Sequence, residues 1–404
     1  MNILLINHYA GSPDLGMEFR PYYMAREWQE MGHKVTIVGA TYSHLRKKQP
    51  EQGAQNIDGI DYYWLKTNTY NGNGLKRAFS MFLFVFKLLT KNRFLIKKYS
   101  PQAVIASSTY PLDNLAARYI ARKCGAKYIF EVHDLWPLSP IELGGLSKRN
   151  PFIRIMQWAE NYAYKHCDAV VSMLPNAMDY MIEHGLAKEK YFCIPNGIVK
   201  SDWDYAWPLP AEHESLLSRL KDQMLIIGYA GAHGIANSLR SVIDAVAMLQ
   251  QKNVALVLVG TGQEKDNLIS YVQKKEIENV FFLPPIAKYE IPTLLSMMDV
   301  LFIGLQRQSL FKYGISPNKI FDYMMAGKPI IQAIEAGNNP VNEADCGISV
   351  EPDNPAAIAD AVLKMKLMSK EDLNKLGKNG KKYVLENHTL DVLSKRFIEI
   401  INSV

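Results

Sequence analysis

At 404 residues, with 48% hydrophobic and 21% charged residues, the chain has the composition of a globular enzyme and is too long for one comfortable core. Its four cysteines, Cys124, Cys167, Cys193 and Cys346, are scattered without a CxxC pair, which excludes a disulfide framework and a cysteine-based zinc site. Net charge is +6 but unevenly placed: no acid lies between Tyr62 and Leu112, while Lys66, Lys76, Arg77, Lys87, Lys91, Arg93, Lys97 and Lys98 do. That clustering implies an anionic partner for one face.

No apolar stretch is long enough to span a bilayer, and Met1–Leu4 runs straight into a strand-like segment, so no signal peptide is expected. Asn2–Asn7 (NILLIN) reads as a strand buried on both faces of a parallel sheet. A glycine-bearing loop, HYAGSPDLGMEFRP, follows it. Met24, Trp28 and Met31 then mark a helix, and Lys34–Gly39 the next strand. This β–loop–α–β unit opens a doubly wound α/β fold. The loop lacks GxGxxG, which disfavours an NAD enzyme.

Ile60–Leu65 alternates like an edge strand, and Asn71–Gly74 forms a loop. In the basic segment that follows, Phe79, Phe82 and Phe86 share one helical face, and Lys87/Lys91 and Arg93/Lys97 recur at i,i+4. Residues 75–98 suit a helix lying in a membrane surface with its cations toward anionic head groups. The competing reading is a core helix with a solvated basic end. Ala103–Ser107 and Lys127–Val132 are further buried strands, separated by a helix that Pro111 opens. The second delivers His133-Asp134 at its carboxyl end, where α/β folds place their chemistry. Asp168–Met173 and Tyr191–Pro195 complete the first half.

Trp203–Gln223 reads as a boundary. Met224–Gly231 then restarts the strand–glycine loop–helix pattern, followed by strands at Val254–Gly260, Val280–Leu283, Val300–Ile303 and Lys328–Ile331. The expected architecture is two Rossmann-like, doubly wound parallel-sheet domains facing each other across a cleft, residues 1–200 and 201–388. A final amphipathic helix, 389–404, is expected to pack back on the first. Within the second half, Ser316 is read as an N-cap, Pro317 as the first helical residue, and Gly327 with Pro329 as the stop after about three turns. The free amides and positive dipole end of such a helix make an anion site. Lys319 in that first turn is disfavoured by the dipole unless an anion is present. The plainer alternative is a capped surface helix.

Taken in order, the NHYAGSPDLGMEFRP loop, EVHDLWP, CIPNGI, YAGAHGIANSL, VGTG and SPNKIFDYMMAGKP resemble the family 4 glycosyltransferases, which share the GT-B fold. EVHDLWP and SPNKIFDY are most similar to the branch that builds bacterial surface polysaccharides, which often adds N-acetylated or deoxy amino sugars. The resemblance implies a nucleotide-sugar donor, UDP-linked, in the C-terminal domain. It implies a lipid-linked or glycan acceptor in the N-terminal domain, retention of anomeric configuration, and neither metal nor other cofactor. With the scattered, reduced cysteines and the basic segment, the expectation is a cytoplasmic enzyme, peripheral at the inner face of the cell membrane through residues 75–98, with no nucleic-acid partner.

By the same resemblance, the family's Glu-x7-Glu motif falls on Gly314 and Asp322, so the first carboxylate is absent and Asp322 is left to meet the ribose. Gly231, Gly314, Ile315, Ser316 and Pro317 are expected to hold phosphates and sugar through the backbone. The family's Arg and Lys after the first C-domain strand read here as Ala232 and Asn237. Lys319 is the first substitute for a cation at the departing diphosphate, with His233 and Arg307 behind it. His133 is expected to face the donor sugar, and Asp134 to orient its ring or cap the next loop. In the first loop, Gly16 is expected to approach the phosphates, and Glu18 and Arg20 the acceptor. Asp202-Trp203-Asp204 is formally a DxD but follows no strand, and reads as a coincidence. Two other readings stay open: a sugar-nucleotide epimerase of the same architecture, and a non-catalytic sugar-nucleotide-binding partner.

Overall fold

The computed structural model describes residues 1–72 and 74–404; Asn73, inside the expected Asn71–Gly74 loop, lies outside them. The chain divides into two compact units, 1–196 with 390–404, and 197–389.

The sheet of the first unit comprises β1 (Asn2–Ile6), β2 (Lys34–Ala40), β3 (Gly53–Ile57), β4 (Ile60–Leu65), β5 (Ala103–Ala106), β6 (Lys127–Val132), β7 (Ala169–Ser172) and β8 (Tyr191–Cys193). Their order is β3-β4-β2-β1-β5-β6-β7-β8, and every pairing is parallel except β3 with β4. Leu4 and Ile6 are fully buried because helices cover both sheet faces, which is why β1 reads as an unbroken apolar run. The order reverses between β1 and β5, so the loops at their carboxyl ends diverge and leave room for a ligand. One expectation is corrected here. Ile60–Leu65 is not an edge: it pairs with β2 on one side and β3 on the other. The true edge, GAQNI, has too few apolar residues to announce itself as a strand.

The basic segment forms one helix, Leu75–Tyr99. It buries Met81, Phe84, Val85 and Leu88 and leaves Phe79 60% and Phe86 62% exposed, so it has both a core face and an apolar outer face. The helix between β5 and β6 spans Asp113–Cys124 with Leu112 at its N-cap, so Pro111 precedes the helix instead of opening it. The helix Leu390–Ser403 belongs to the first unit. There Trp28 Nε1 donates to the Ser394 carbonyl (3.1 Å), and the Trp28 and Phe397 rings meet edge to face at 5.1 Å.

The second unit holds β9 (Leu225–Ala230), β10 (Val254–Val259), β11 (Val280–Leu283), β12 (Val300–Gly304), β13 (Ile330–Ala333) and β14 (Gly347–Val350). They pair in the order β11-β10-β9-β12-β13-β14, all parallel. Every residue of β10 is buried, as its VALVLV sequence requires. The helix after the Gly314 loop runs Asn318–Met325, eight residues or little more than two turns. Pro317 is its N-cap, without a side-chain cap, so Ser316 lies one position before the cap. Gly327 follows the helix at φ +66°, a left-handed position that suits glycine.

Both Trp28 and Phe397 are fully buried. Phe397→Ala is therefore expected to lower the unfolding free energy of the first unit by about 3–5 kcal/mol, read as an earlier urea midpoint in tryptophan fluorescence.

Candidate functional site

At the carboxyl end of the second sheet, two glycine loops pack backbone against backbone. A Cβ on Gly260 would lie 1.9 Å from the Gly231 carbonyl oxygen, and one on Gly262 would lie 2.5 Å from that of His233. The His233 amide donates to Thr261 (2.9 Å), and its carbonyl accepts from the Glu264 amide (3.0 Å). Into this floor comes Lys319, from the first turn of the helix Asn318–Met325. Its Nζ donates to Tyr229 Oη (2.6 Å) and stands 3.9 Å from the Tyr229 ring centre. A Cβ on Gly231 would meet Lys319 Cε at 2.8 Å, so glycine there leaves space for the ammonium. Tyr229 in turn donates to the Ala232 carbonyl, and Tyr323 Oη accepts from the Ala230 amide.

Burial lowers the Lys319 pKa to about 7, against a smaller opposing pull from Asp322. A lysine in this state takes up a proton when a negative group arrives. Its N-terminal turn also carries the amides of Asn318 and Lys319, which have no acceptor inside the helix. Asp322, one turn on, is itself pushed up to about 7 by burial, with Lys288 the main influence pulling it down. No hydrogen bond holds its carboxyl among the described residues. His233 is fully buried, and neither ring nitrogen has a partner among the described residues. Burial, then Lys265 and Lys319, lower it to about 4, so it is a neutral imidazole and supplies no positive charge.

The structure thus brings Lys319, Gly231 and His233 to one place, and it corrects two expectations. Arg307 is held by carboxylates, 3.4 Å from Glu335 and paired with Glu351, so its charge is already answered at the surface. The amides at Gly314 and Ile315 are taken: Gly314 donates to the Phe311 carbonyl (2.9 Å) and Ile315 to Asn338 Oδ1 (2.7 Å). Pro317 has no N–H to offer. Within the helix, the amides without an intrahelical acceptor begin at Asn318. Asp202 of the DxD pairs with Lys288 at 2.7 Å.

In the first unit, His133 stands at the end of β6 with Nε2 2.9 Å from Ser107 Oγ and 3.3 Å from Glu131 Oε2. Glu131 also accepts from Ser107 Oγ (2.6 Å) and from Arg20 Nε (2.9 Å). Burial raises this carboxyl, but Arg20, His133 and Ser107 together outweigh it and hold it below the ordinary carboxylate range. Its charge fixes the His133 ring and points Nδ1 away from the carboxylate. Glu131 escaped the sequence reading. A lone acid inside the apolar strand KYIFEV was the available signal, because such a charge needs a buried partner.

That partner overturns the acceptor role of Arg20. Its guanidinium is 6% exposed and donates to Glu131 and to the carbonyls of Ile194 and Pro195, so it clamps the first loop to β6 and the end of β8. Asp134 caps the following loop: Oδ1 accepts from the Leu135 amide (2.9 Å) and Ser139 Oγ (2.7 Å). Gly16, at φ +106°, packs against the backbone of Arg46 and Lys47, which alone accounts for its glycine. Glu18 contributes main-chain bonds to Tyr9 and Gly11.

Two parallel α/β units, with glycine loops and buried polar groups at the carboxyl ends of their strands, define the double-Rossmann GT-B class of glycosyltransferases. Residues 16–197 match the family described as "Glycosyl transferase 4-like domain" and residues 217–383 that described as "Glycosyl transferases group 1". The chain belongs to the family 4 glycosyltransferases. Among its relatives, the probable glycosyltransferase WbjE of Pseudomonas aeruginosa is 22% identical over 98% of this chain and 96% of its own. The putative colanic acid biosynthesis glycosyl transferase WcaI of Escherichia coli is 24% identical over 87% and 84%. Among solved structures, Anabaena Alr3699/HepE in complex with UDP and glucose superposes with a TM-score of 0.67, at 16% identity over the whole of both chains.

The Lys319 pKa sets a pH signature. The unfolded chain holds this proton up to about 10.5 and the folded one only to about 7, so the burden on stability is full below pH 7 and fades as pH rises between the two values. Unliganded Lys319→Met is expected to melt above wild type at pH 7, with the difference shrinking at pH 9. A difference that does not change with pH would show that Lys319 is not buried as a charge.

Proposed function

We infer that the chain is a retaining hexosyl- or N-acetylhexosaminyl-type transferase that moves a sugar from a UDP-linked donor to a lipid-linked acceptor in the assembly of a bacterial surface polysaccharide. The observation that carries the donor side is Lys319, an ammonium held against glycine backbone at a helix N-terminus. A departing diphosphate gains negative charge, and a preorganised cation with two first-turn amides answers it as it develops. The acceptor oxygen bonds to the anomeric carbon on the face from which the phosphate leaves. The carbon–phosphate oxygen bond breaks, and the acceptor's proton passes to the leaving phosphate, so configuration is retained and Lys319 supplies the charge a metal would otherwise bring. The solved relative in complex with UDP and glucose supports the donor class, and the relative named for colanic acid biosynthesis supports the product class.

Asp322 is the group we assign to the ribose hydroxyls. The first unit is assigned the acceptor, and the basic helix Leu75–Tyr99 the inner face of the cell membrane. No described helix is long and apolar enough to cross a membrane. The exposed Phe79, Phe82 and Phe86, flanked by lysines, instead fit a helix that lies in an anionic surface.

Two measurements test this reading. UDP binding followed by calorimetry at pH 8, in buffers of different ionisation enthalpy, is expected to show proton uptake in wild type. Lys319→Met should show none and bind about tenfold more weakly. If no nucleoside diphosphate binds wild type, the donor assignment is wrong. For the membrane, the double variant Phe79→Ser/Phe86→Ser is expected to bind phosphatidylglycerol vesicles at least about tenfold more weakly at low salt. Equal binding by the two proteins would remove the helix from the membrane.

A further inference from the structure

A second cationic cluster lies in the first unit, away from His133 and its Glu131 support. Tyr9 follows β1, His44 follows β2, Tyr70 follows β4, and Arg77 sits in the first turn of the basic helix. Arg77 Nε donates to Tyr9 Oη (3.3 Å), and its guanidinium carbon is 5.4 Å from the Tyr9 ring centre. His44 Nδ1 is 3.0 Å from Tyr70 Oη, and its ring stands edge-on to Tyr9 at 5.8 Å. Both phenols are 2% exposed, whereas His44 is exposed and Arg77 half-buried. A guanidinium and an imidazole on different elements thus rest on a shared aromatic floor.

The charge around this floor is of one sign. Burial and then Arg77 lower the His44 pKa, and burial, Arg46, Arg77 and His44 together push His8 beneath it well below its usual value. Burial raises both Tyr9 and Tyr70, so both phenols stay protonated and hold Arg77 and His44 in place from below. Lys47 and Lys48 continue the His44 loop, Lys76 precedes Arg77, and all three are exposed. From Tyr62 through the whole basic helix there is no acid in the sequence. Guanidinium and imidazole donors without a carboxylate beside them suit phosphate oxygens.

Arg77 lies on the core-facing side of its helix with Met81, Phe84 and Leu88, about half a turn around from the exposed Phe79, Phe82 and Phe86.

We propose that His44 and Arg77, set over Tyr9 and Tyr70, form the subsite that holds the phosphate or diphosphate of a lipid-linked acceptor. The proposal rests on the transferase reading above and names the acceptor contacts that reading left open.

Geranyl diphosphate is a soluble probe of this chemistry. Its binding to the full chain is expected to weaken about tenfold in Arg77→Gln and in His44→Gln, and to hold in Lys319→Met. Inorganic pyrophosphate is expected to compete, and Arg77→Lys to recover part of the loss. His44 is exposed, so His44→Gln keeps the test valid if Arg77→Gln melts early. Unchanged binding in both glutamine variants overturns the subsite, as does a loss confined to Lys319→Met, which would put the diphosphate in the second unit. UDP binding measured in parallel separates the two claims. If UDP binds and the glutamine variants change nothing, only the subsite falls. If no nucleoside diphosphate binds, the transferase reading falls and with it the acceptor role. Displacement of the probe by phosphatidylglycerol vesicles but not by pyrophosphate would assign the cluster to bilayer head groups and overturn the proposal.

Discussion

The second unit is arranged around an ammonium group placed where water is scarce. Lys319 has a phenol, a π-face and, at 3.5 Å, Asn237 Oδ1 for company, and the carboxyl one turn away is itself driven toward neutrality by burial. A charged group left this way is costly in an empty protein, and little in the fold relieves it. The neighbouring choices follow from the need to keep the space open: glycine at 231, glycine at 260 packed on its carbonyl, and a short helix that begins at proline and ends at a left-handed glycine. His233 stays neutral on the same floor, so it shapes the site without adding repulsion to the cation.

The first unit solves the opposite problem. Its buried acid, Glu131, is fully answered by Arg20, Ser107 and His133, and the network is rigid because each member has a fixed partner. One end of it anchors the long loop after β1, and the other sets the orientation of His133. The two units therefore carry complementary electrostatics: one keeps a cation under-satisfied, the other holds an imidazole in a satisfied frame. A group that is short of partners is poised to receive a ligand, whereas a group with all its partners holds geometry.

Much of this was legible in the chain. The continuous apolar strands, the glycine loops, the returning helix and the place of Lys319 in a first turn all follow from pattern and turn chemistry. What escaped did so for physical reasons. β3 is polar, and its strand character comes from pairing with β4, which no local pattern reports. Arg20 reads as a loop cation near a site until β6 places Glu131 against it, across 111 residues of sequence. The Ile315 amide appears available until Asn338 of a later loop takes it. Arg307 likewise depends on Glu335 and Glu351, from two later loops. Local chemistry fixes which groups are present; long-range contacts decide which of them still have something to give.

The helix Leu390–Ser403 lies in the first unit although the whole of the second separates it from the rest of that unit. Trp28 waits on Ser394 and Phe397 for its hydrogen bond and its ring contact. During synthesis, the first 196 residues leave the ribosome with this apolar groove uncovered, and it stays so while 193 further residues are made. The second unit can reach its own fold in that interval; the first cannot finish. For close to half of its translation, the nascent chain therefore carries a hydrophobic seam around Trp28 without the helix that covers it.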